Sequence, residues 1–479
     1  MNSLCSINYA WTFIRKAVLA LMVTGLFGSG ILRAQNDPYF GYSNTNSYFL
    51  SYSSGSFDKN SDGDVKIATT INGKTLDFDV DTGSRGLYVA STELEDPDHP
   101  FDYGTNSYAG EIQLTSSHRV SSGTWTTTTL SFSVNSSGTT MTVTATANIL
   151  VVDTIGAQSG KTASYKVDTS APGYDGFVKL VSGTTKAVTV DSNGDHVIVL
   201  SNSGSGALNE QAAYADNKGV LKGGSNFGIG FDLNGVAGGT GPVGPNMNQI
   251  YNPLINLTAM RDGTMVAGYI IEKEGIQLGL TGSNTGFAYT TLNPTGFAST
   301  NSVPDWQTPM GQTVVSGTVK GPGSVVMDSG ISGAYVSAPG LEPGTTITDG
   351  MSVYLMNSGG AVGYNITGSG TSSVLNPSEI EVVKSGTDGI YSQNQGPYQD
   401  QYFNTGRNVF KAFDMLYDAQ NGYMGVKPNE YGSTDPNVFF AAQAGGFPNP
   451  IPEGSSAVMV LMGGVFVWWA KRRGGRSQR

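Results

Sequence analysis

Two short segments, one in each half of the chain, restrict the fold more than anything else in the sequence. Phe78-Asp79-Val80-Asp81-Thr82-Gly83-Ser84 is echoed by Val325-Val326-Met327-Asp328-Ser329-Gly330-Ile331. Each is an apolar strand that runs into Asp-[Thr/Ser]-Gly. One such tripeptide is ordinarily a turn after a strand, because Asp caps turns and Gly takes positive φ. Two of them, each behind its own strand, ask for an internally duplicated fold that brings one loop from each half to a common place. Carboxylates set that close cannot both ionise, so they share a proton. The ionised member can take a proton from water while the protonated one donates to a carbonyl. Apparent pKa values then belong to the pair. The glycine after Thr or Ser permits the close approach that such loops need.

The rest of the chain predicts β-structure. Among 479 residues there are 66 glycines, only 13% charged residues and 38% hydrophobic ones. That balance fits an extracellular all-β protein with a real core rather than a disordered chain. Val65–Ile71 reads as a strand, Asn72-Gly73 as a hairpin turn and Leu76–Val80 as the returning strand. Glu111–Leu114, Thr124–Phe132 and Met141–Val152 alternate in the same way. Helical periodicity is confined to Pro253–Arg261 and Arg407–Phe413. Residues 155–225, rich in Gly, Ser, Asp and Asn, read as an insertion of hairpins and long loops.

Both ends carry addresses. Arg15 and Lys16, the apolar stretch Ala17–Ile31 and Leu32-Arg33-Ala34 predict a secretory signal over residues 1–34. The single cysteine, Cys5, lies inside it, so the mature chain is expected to hold no disulfide. At the other end, Pro452-Glu453-Gly454 leads into the apolar run Ala457–Ala470 and then Lys471, Arg472, Arg473, Arg476 and Arg479. The run is shorter than the roughly 20 residues of a full span, and the basic residues would stay on the cytoplasmic side. This layout resembles the bacterial PEP-CTERM sorting tail, although the second proline of that motif is missing. The resemblance implies a sorting enzyme of exosortase type as a partner and membrane attachment through the C-terminal segment. A plain membrane anchor is the alternative reading. Either way the body is expected outside the cytoplasm, at the cell surface, in the outer envelope or free. The formal net charge is −11, and residues 1–34 and 471–479 hold eight Lys/Arg and no Asp/Glu, so the remainder is more negative still. So negative a body argues against nucleic acid as a partner.

With the paired loops in hand, the chain resembles the pepsin-like aspartic peptidases. Asp81-Thr82-Gly83-Ser84-Arg85-Gly86-Leu87-Tyr88-Val89 is similar to the first active-site loop of that family. Asn226-Phe227-Gly228-Ile229-Gly230-Phe231 resembles the buried segment that completes the first lobe. Pro253–Leu257, Gly268–Ile271 and Ile276–Gly279 resemble the crossing between lobes, and Asn408–Phe413, Tyr417-Asp418 and Asn421–Val426 the closing strands. The resemblance implies an all-β, bilobal pepsin-like fold, two β-barrel-like lobes with a central cleft. The N-terminal lobe would run over 35–262, the C-terminal lobe over 263–431, a linker over 432–450 and the tail over 451–479. It implies Asp81 and Asp328 as the catalytic pair, with Thr82, Gly83, Ser84, Ser329 and Gly330 in the active-site loops. A monomer acting on polypeptide substrates, with neither cofactor nor metal, is expected.

The chain departs from the family in two places. The family sets Ser or Thr three residues after each Asp; Ser84 matches, whereas Ile331 stands in the second loop with Ser332 one later. The family's flap hairpin ordinarily carries a Tyr. Here the best hairpin, built from Glu111–Leu114 and Thr124–Phe132, has Ser116, Ser117, His118 and Arg119 at its tip, and Tyr103 falls early. Tyr103 and His118 are the flap candidates, although each residue type in such a place is more often plain surface loop. These departures support a second reading, a pepsin-fold surface protein of weak or no activity with a binding or structural role. Among other constellations, Asp58, Asn60, Asp62, Gly63 and Asp64 imitate the start of a calcium loop, but Thr69 stands where the closing Glu would be. His99, His118 and His196 have no metal-ligand spacing.

Overall fold

Period-two alternation becomes strand with the expected faces inward in the computed structural model of the chain. The structure describes Tyr39 and residues 46–440, except 62, 96–99, 115–116, 193, 205–208, 223–224, 231–241, 244–250, 295–303, 316, 349, 356–361, 367–373 and 384–401. The expected signal (residues 1–34), the expected sorting tail (451–479) and residues 441–450 of the expected linker lie outside the described residues. The chain divides into a unit of residues 41–442 and a second made of its two ends; both lobes belong to the first.

In the N-terminal lobe, strand Lys66–Ile71 buries every second residue, with Ile67, Thr69 and Ile71 fully inside. Each fully buried aliphatic or aromatic side chain of this face contributes about 1.5–3 kcal/mol. Asn72 and Gly73 both take positive φ, 51° and 78°, the pairing that suits the twist of a two-residue hairpin. Strand Lys74–Asp81 then returns and ends on the first aspartate. A second two-residue turn, Ser137-Gly138 with φ 50° and 84°, joins the long strands Arg119–Ser136 and Thr139–Ala157.

What positions the site is a repeated three-strand arrangement. Strand Asn226–Ile229 lies parallel to Lys74–Asp81 and antiparallel to Arg85–Ala90, with Asn226 opposite Asp79 on one side and Tyr88 on the other. In the other lobe, strand Tyr402–Asn404 lies parallel to Thr318–Val326 and antiparallel to Ala334–Ser337, with Asn404 opposite Val326 and Tyr335. In each lobe the strand leading into an aspartate is thus flanked by the same neighbours in the same directions. The strands and this duplication together give an all-β fold of two lobes, as expected.

Between the lobes runs a succession of antiparallel strands in the order Tyr48–Ser51, Gly275–Leu278, Gly268–Glu272, Phe413–Asp418, Tyr423–Pro428 and Ala288–Thr291. Tyr48–Ser51 thus bridges the two halves, pairing with Gly275–Leu278 along its length and with Arg119–Ser136 at Phe49 opposite Asn135. Short helical turns appear at Pro253–Ile255, Thr258–Arg261 and Arg407–Lys411.

The insertion folds as hairpins that pack onto the N-terminal lobe. Tyr165, Val178, Ile198 and Leu200 share a core with Tyr88, Trp125 and Leu150. Of the expected linker, the described residues 432–440 instead belong to the C-terminal lobe. Strand Val438–Phe440 pairs with Val362–Ile366 at the edge of that lobe's sheet, and an edge strand is chosen by a free row of backbone groups, which sequence composition does not reveal.

Candidate active site

The two aspartate loops meet, and they interlock. The Thr82 N–H donates to Ser329 Oγ at 3.0 Å, and the Ser329 N–H donates to Thr82 Oγ1 at 2.8 Å. Each hydroxyl then donates to a carbonyl behind the opposite aspartate, Thr82 Oγ1 to Met327 O at 2.5 Å and Ser329 Oγ to Val80 O at 2.7 Å. Thr82 and Ser329 are buried, so every one of these groups would cost free energy if left unpaired. The small hydroxyl residue after each Asp is what makes the exchange reciprocal.

The lock leaves the carboxylates face to face. Asp81 and Asp328 lie within hydrogen-bonding reach of each other. A β-carbon on Gly83 would stand 2.1 Å from Asp328 Oδ2, and one on Gly330 would stand 2.6 Å from Asp81 Oδ1. Both positions therefore exclude any side chain. Within each loop the glycine N–H donates back to its own aspartate, Gly83 to Asp81 Oδ1 at 2.8 Å and Gly330 to Asp328 Oδ1 at 2.9 Å.

The other oxygen of each aspartate is held by a residue that sequence reasoning did not single out for this role. Asn226 Nδ2 donates to Asp81 Oδ2 at 2.8 Å, and Asn404 Nδ2 donates to Asp328 Oδ2 at 2.6 Å. Ser84, matching the family pattern three residues after Asp81, accepts from Asn226 Nδ2 at 2.9 Å. The available sequence signal was a second echo, Asn226-Phe227-Gly228 against Asn404-Thr405-Gly406.

Burial pushes the Asp328 carboxyl up to about 7, and the charge of Asp81 beside it acts in the same direction. The N–H donors of Asn404 and Gly330 oppose this only in part. Below that pH the pair holds one proton, the state in which one member can accept a proton while the other gives one.

The flap candidates sit around a hairpin formed by Tyr108–Leu114 and the start of Arg119–Ser136, in register from Tyr108 opposite Trp125 to Leu114 opposite Arg119. His118 is at its tip with φ 55°, and its carbonyl accepts from the Gln158 N–H at 2.9 Å. Arg119 Nε donates to Ser164 O at 2.8 Å, and its guanidinium lies over the Tyr165 ring. The tip is thereby tied to the insertion. Tyr103 lies in the loop before the hairpin, its ring edge-on to Phe101 and its carbonyl accepting from Thr126 Oγ1 at 2.6 Å. The loops bring together Asp81, Thr82, Gly83, Ser84, Asp328, Ser329 and Gly330; the contacts that hold Tyr103 and His118 are made with other residues. The acidic turn is engaged by ion pairs, Asp58 with Lys273 at 2.8 Å and Asp64 with Arg407.

No family model matches the chain, and no curated protein does. Among solved structures, an aspartic proteinase from Irpex lacteus aligns with 81% of this chain and 99% of its own, at 13% sequence identity and a TM-score of 0.38. At that level of similarity the chemistry is read from the site itself.

Proposed function

We propose that this chain is an aspartic-type endopeptidase, hydrolysing peptide bonds with a water activated between Asp81 and Asp328. The observation that carries the reading is the carboxylate pair, which the reciprocal Thr82–Ser329 lock holds in contact and which burial keeps singly protonated. In the reaction, the ionised aspartate removes a proton from the water as its oxygen attacks the peptide carbonyl. The protonated aspartate gives its proton to the carbonyl oxygen, forming a neutral tetrahedral diol. Collapse returns a diol proton to one carboxylate while the nitrogen gains a proton from the other, so the C–N bond breaks and one proton is again shared. Exported or environmental polypeptides are the proposed substrates. Export, sorting-enzyme recognition of the tail and membrane attachment there are proposed with it, on the sequence patterns of the two ends.

The test is digestion of an unfolded protein across pH 3 to 7 by the body, residues 35–450, beside its Asp81→Asn and Asp328→Asn variants. Pepstatin-sensitive cleavage that both substitutions abolish is the expected result. Absence of cleavage at every pH, from protein shown to be folded, would sink the reading and favour the binding or structural role, for which Ile331 in the second loop is the motivating departure.

A further inference from the structure

We infer that Asn226 and Asn404 are positioning residues of the aspartate pair, matched amides that hold the Oδ2 atoms of Asp81 and Asp328, and that Asn404 supplies the donor that Ile331 cannot. For its effect on catalysis this rests on the peptidase reading; the geometry does not.

The two asparagines occupy equivalent places. Each stands on a strand parallel to the one that leads into its aspartate, opposite the residue two before that aspartate, Asp79 for Asn226 and Val326 for Asn404. Each also faces a tyrosine across the antiparallel neighbour, Tyr88 and Tyr335. Both are buried, 6% and 4% exposed. A buried amide has to pair its N–H groups, and a donor aimed at a carboxylate is about twice as strong as one between neutral groups. Asn404 is further oriented by its own oxygen, which accepts the Gly406 N–H at 2.9 Å. That contact turns the nitrogen towards Asp328 Oδ2.

The two halves differ in what stands behind the amide. Asn226 Nδ2 has two hydrogens and spends them on Asp81 Oδ2 and on Ser84 Oγ. The Ser84 hydroxyl, by accepting the second hydrogen, fixes the plane of the Asn226 amide. In the second loop the matching residue is Ile331, which has nothing to donate. Loss of Asn404 leaves Asp328 Oδ2 without its amide donor, as loss of Asn226 does Asp81 Oδ2. Because an N–H donor favours the ionised carboxylate, removing Asn404 makes Asp328 hold its proton to higher pH.

Two measurements on the full chain test this. In the first, kcat and KM are followed against pH for wild type, Asn226→Leu, Asn404→Leu and Asn404→Leu with Ile331→Thr. Asn404→Leu is expected to lower kcat about tenfold or more, to leave KM within about twofold and to move the alkaline limb of the profile upward. Asn226→Leu is expected to lower kcat by a similar factor, and Ile331→Thr to restore part of the Asn404→Leu loss and return the limb. Asn404→Ala serves if the leucine does not fold. A fall in kcat with an unmoved limb and no rescue would show a merely structural asparagine and overturn the inference. The second measurement needs no activity: melting temperature against pH, with Asn404→Leu made in wild type and in Asp328→Asn. The expected effect of Asn404→Leu varies with pH in the first background and is flat in the second. Flat behaviour in both overturns the inference. A pH-dependent effect from a chain that cleaves nothing would uphold the inference while the peptidase reading fails.

Discussion

Thr82 and Ser329 hold each other across the two lobes by a pair of exchanged hydrogen bonds, main chain of one to side chain of the other, at 3.0 and 2.8 Å. Because each hydroxyl also donates to a carbonyl behind the opposite aspartate, the four bonds form one unit. Ser329→Ala leaves the buried Thr82 N–H and the Val80 carbonyl unpaired, which costs about 1–3 kcal/mol. Thr82→Val leaves the Met327 carbonyl and the Ser329 N–H in the same position and costs a similar amount. The double variant should cost clearly less than the sum, since partners of one network do not add. Urea unfolding of the four proteins measures this; strict additivity would mean that the lock does not act as a unit.

The glycines of the two loops act on the chemistry rather than the fold. A methyl group on Gly83 would stand 2.1 Å from Asp328 Oδ2 and one on Gly330 2.6 Å from Asp81 Oδ1, so Gly83→Ala and Gly330→Ala both force the carboxylates apart. Displacing reacting groups by about 1 Å can cost about a hundredfold in rate. Each alanine is expected to lower kcat by about that factor or more, with Gly83→Ala the more severe because its contact is closer. Peptidase assays beside circular dichroism check this: lost activity in a folded protein is the predicted outcome, and retained activity would place the carboxylates further apart than the structure has them.

Much of this site is legible in the sequence because its chemistry is local. Asp-Thr-Gly and Asp-Ser-Gly each follow an apolar strand, and the turn preference of Asn72-Gly73 is written in two residues. Asn226 and Asn404 are a different matter. They reach their aspartates over 145 and 76 positions, so no period or spacing links them, and in a list of apolar segments an asparagine reads as an imperfection. Tyr48–Ser51 and Val438–Phe440 escaped for a related reason: their own residues suit a strand, but the partner is selected by tertiary packing. The departure at Ile331 was visible at once. Its compensation was not, because it stands on another strand.

The pH dependence follows from the raised carboxyl of Asp328, which burial and Asp81 push up to about 7. Its folded pKa lies above its unfolded one, so its contribution to stability is fully present below the ordinary carboxylate range and is lost as pH rises through about 7. The same titration removes the shared proton, so activity should fall over the upper part of that window. Asp414, also pushed up to about 7 by burial and by the charge of Glu272, adds a loss of the same sign. Asp328→Asn and Asp414→Asn should therefore each flatten melting temperature against pH between about 4 and 7, but only the first should abolish cleavage. A stability profile unchanged by both substitutions would show that neither carboxyl is raised.

Arg85, four residues beyond the first aspartate, reaches Asp305 at 3.0 Å, with the two side chains only 11% and 9% exposed. Its guanidinium also lies over the Tyr251 ring. The partner Asp305 comes from the second half of the chain, next to Trp306, whose Nε1 donates to Ala419 O at 2.8 Å, in the turn that joins the central strands Phe413–Asp418 and Tyr423–Pro428. The pair thus ties the strand leaving the first active-site loop to that layer. Breaking a buried pair on one side strands a charge, at about 3–5 kcal/mol, whereas replacing both partners by apolar residues of similar size is often nearly neutral. Arg85→Leu should therefore destabilise by about that amount, and Arg85→Leu with Asp305→Leu should recover most of it. Urea unfolding of the two variants beside wild type decides the matter. A double variant as unstable as the single one would mean that Asp305 is held mainly by its other surroundings and that the tie between the halves lies elsewhere.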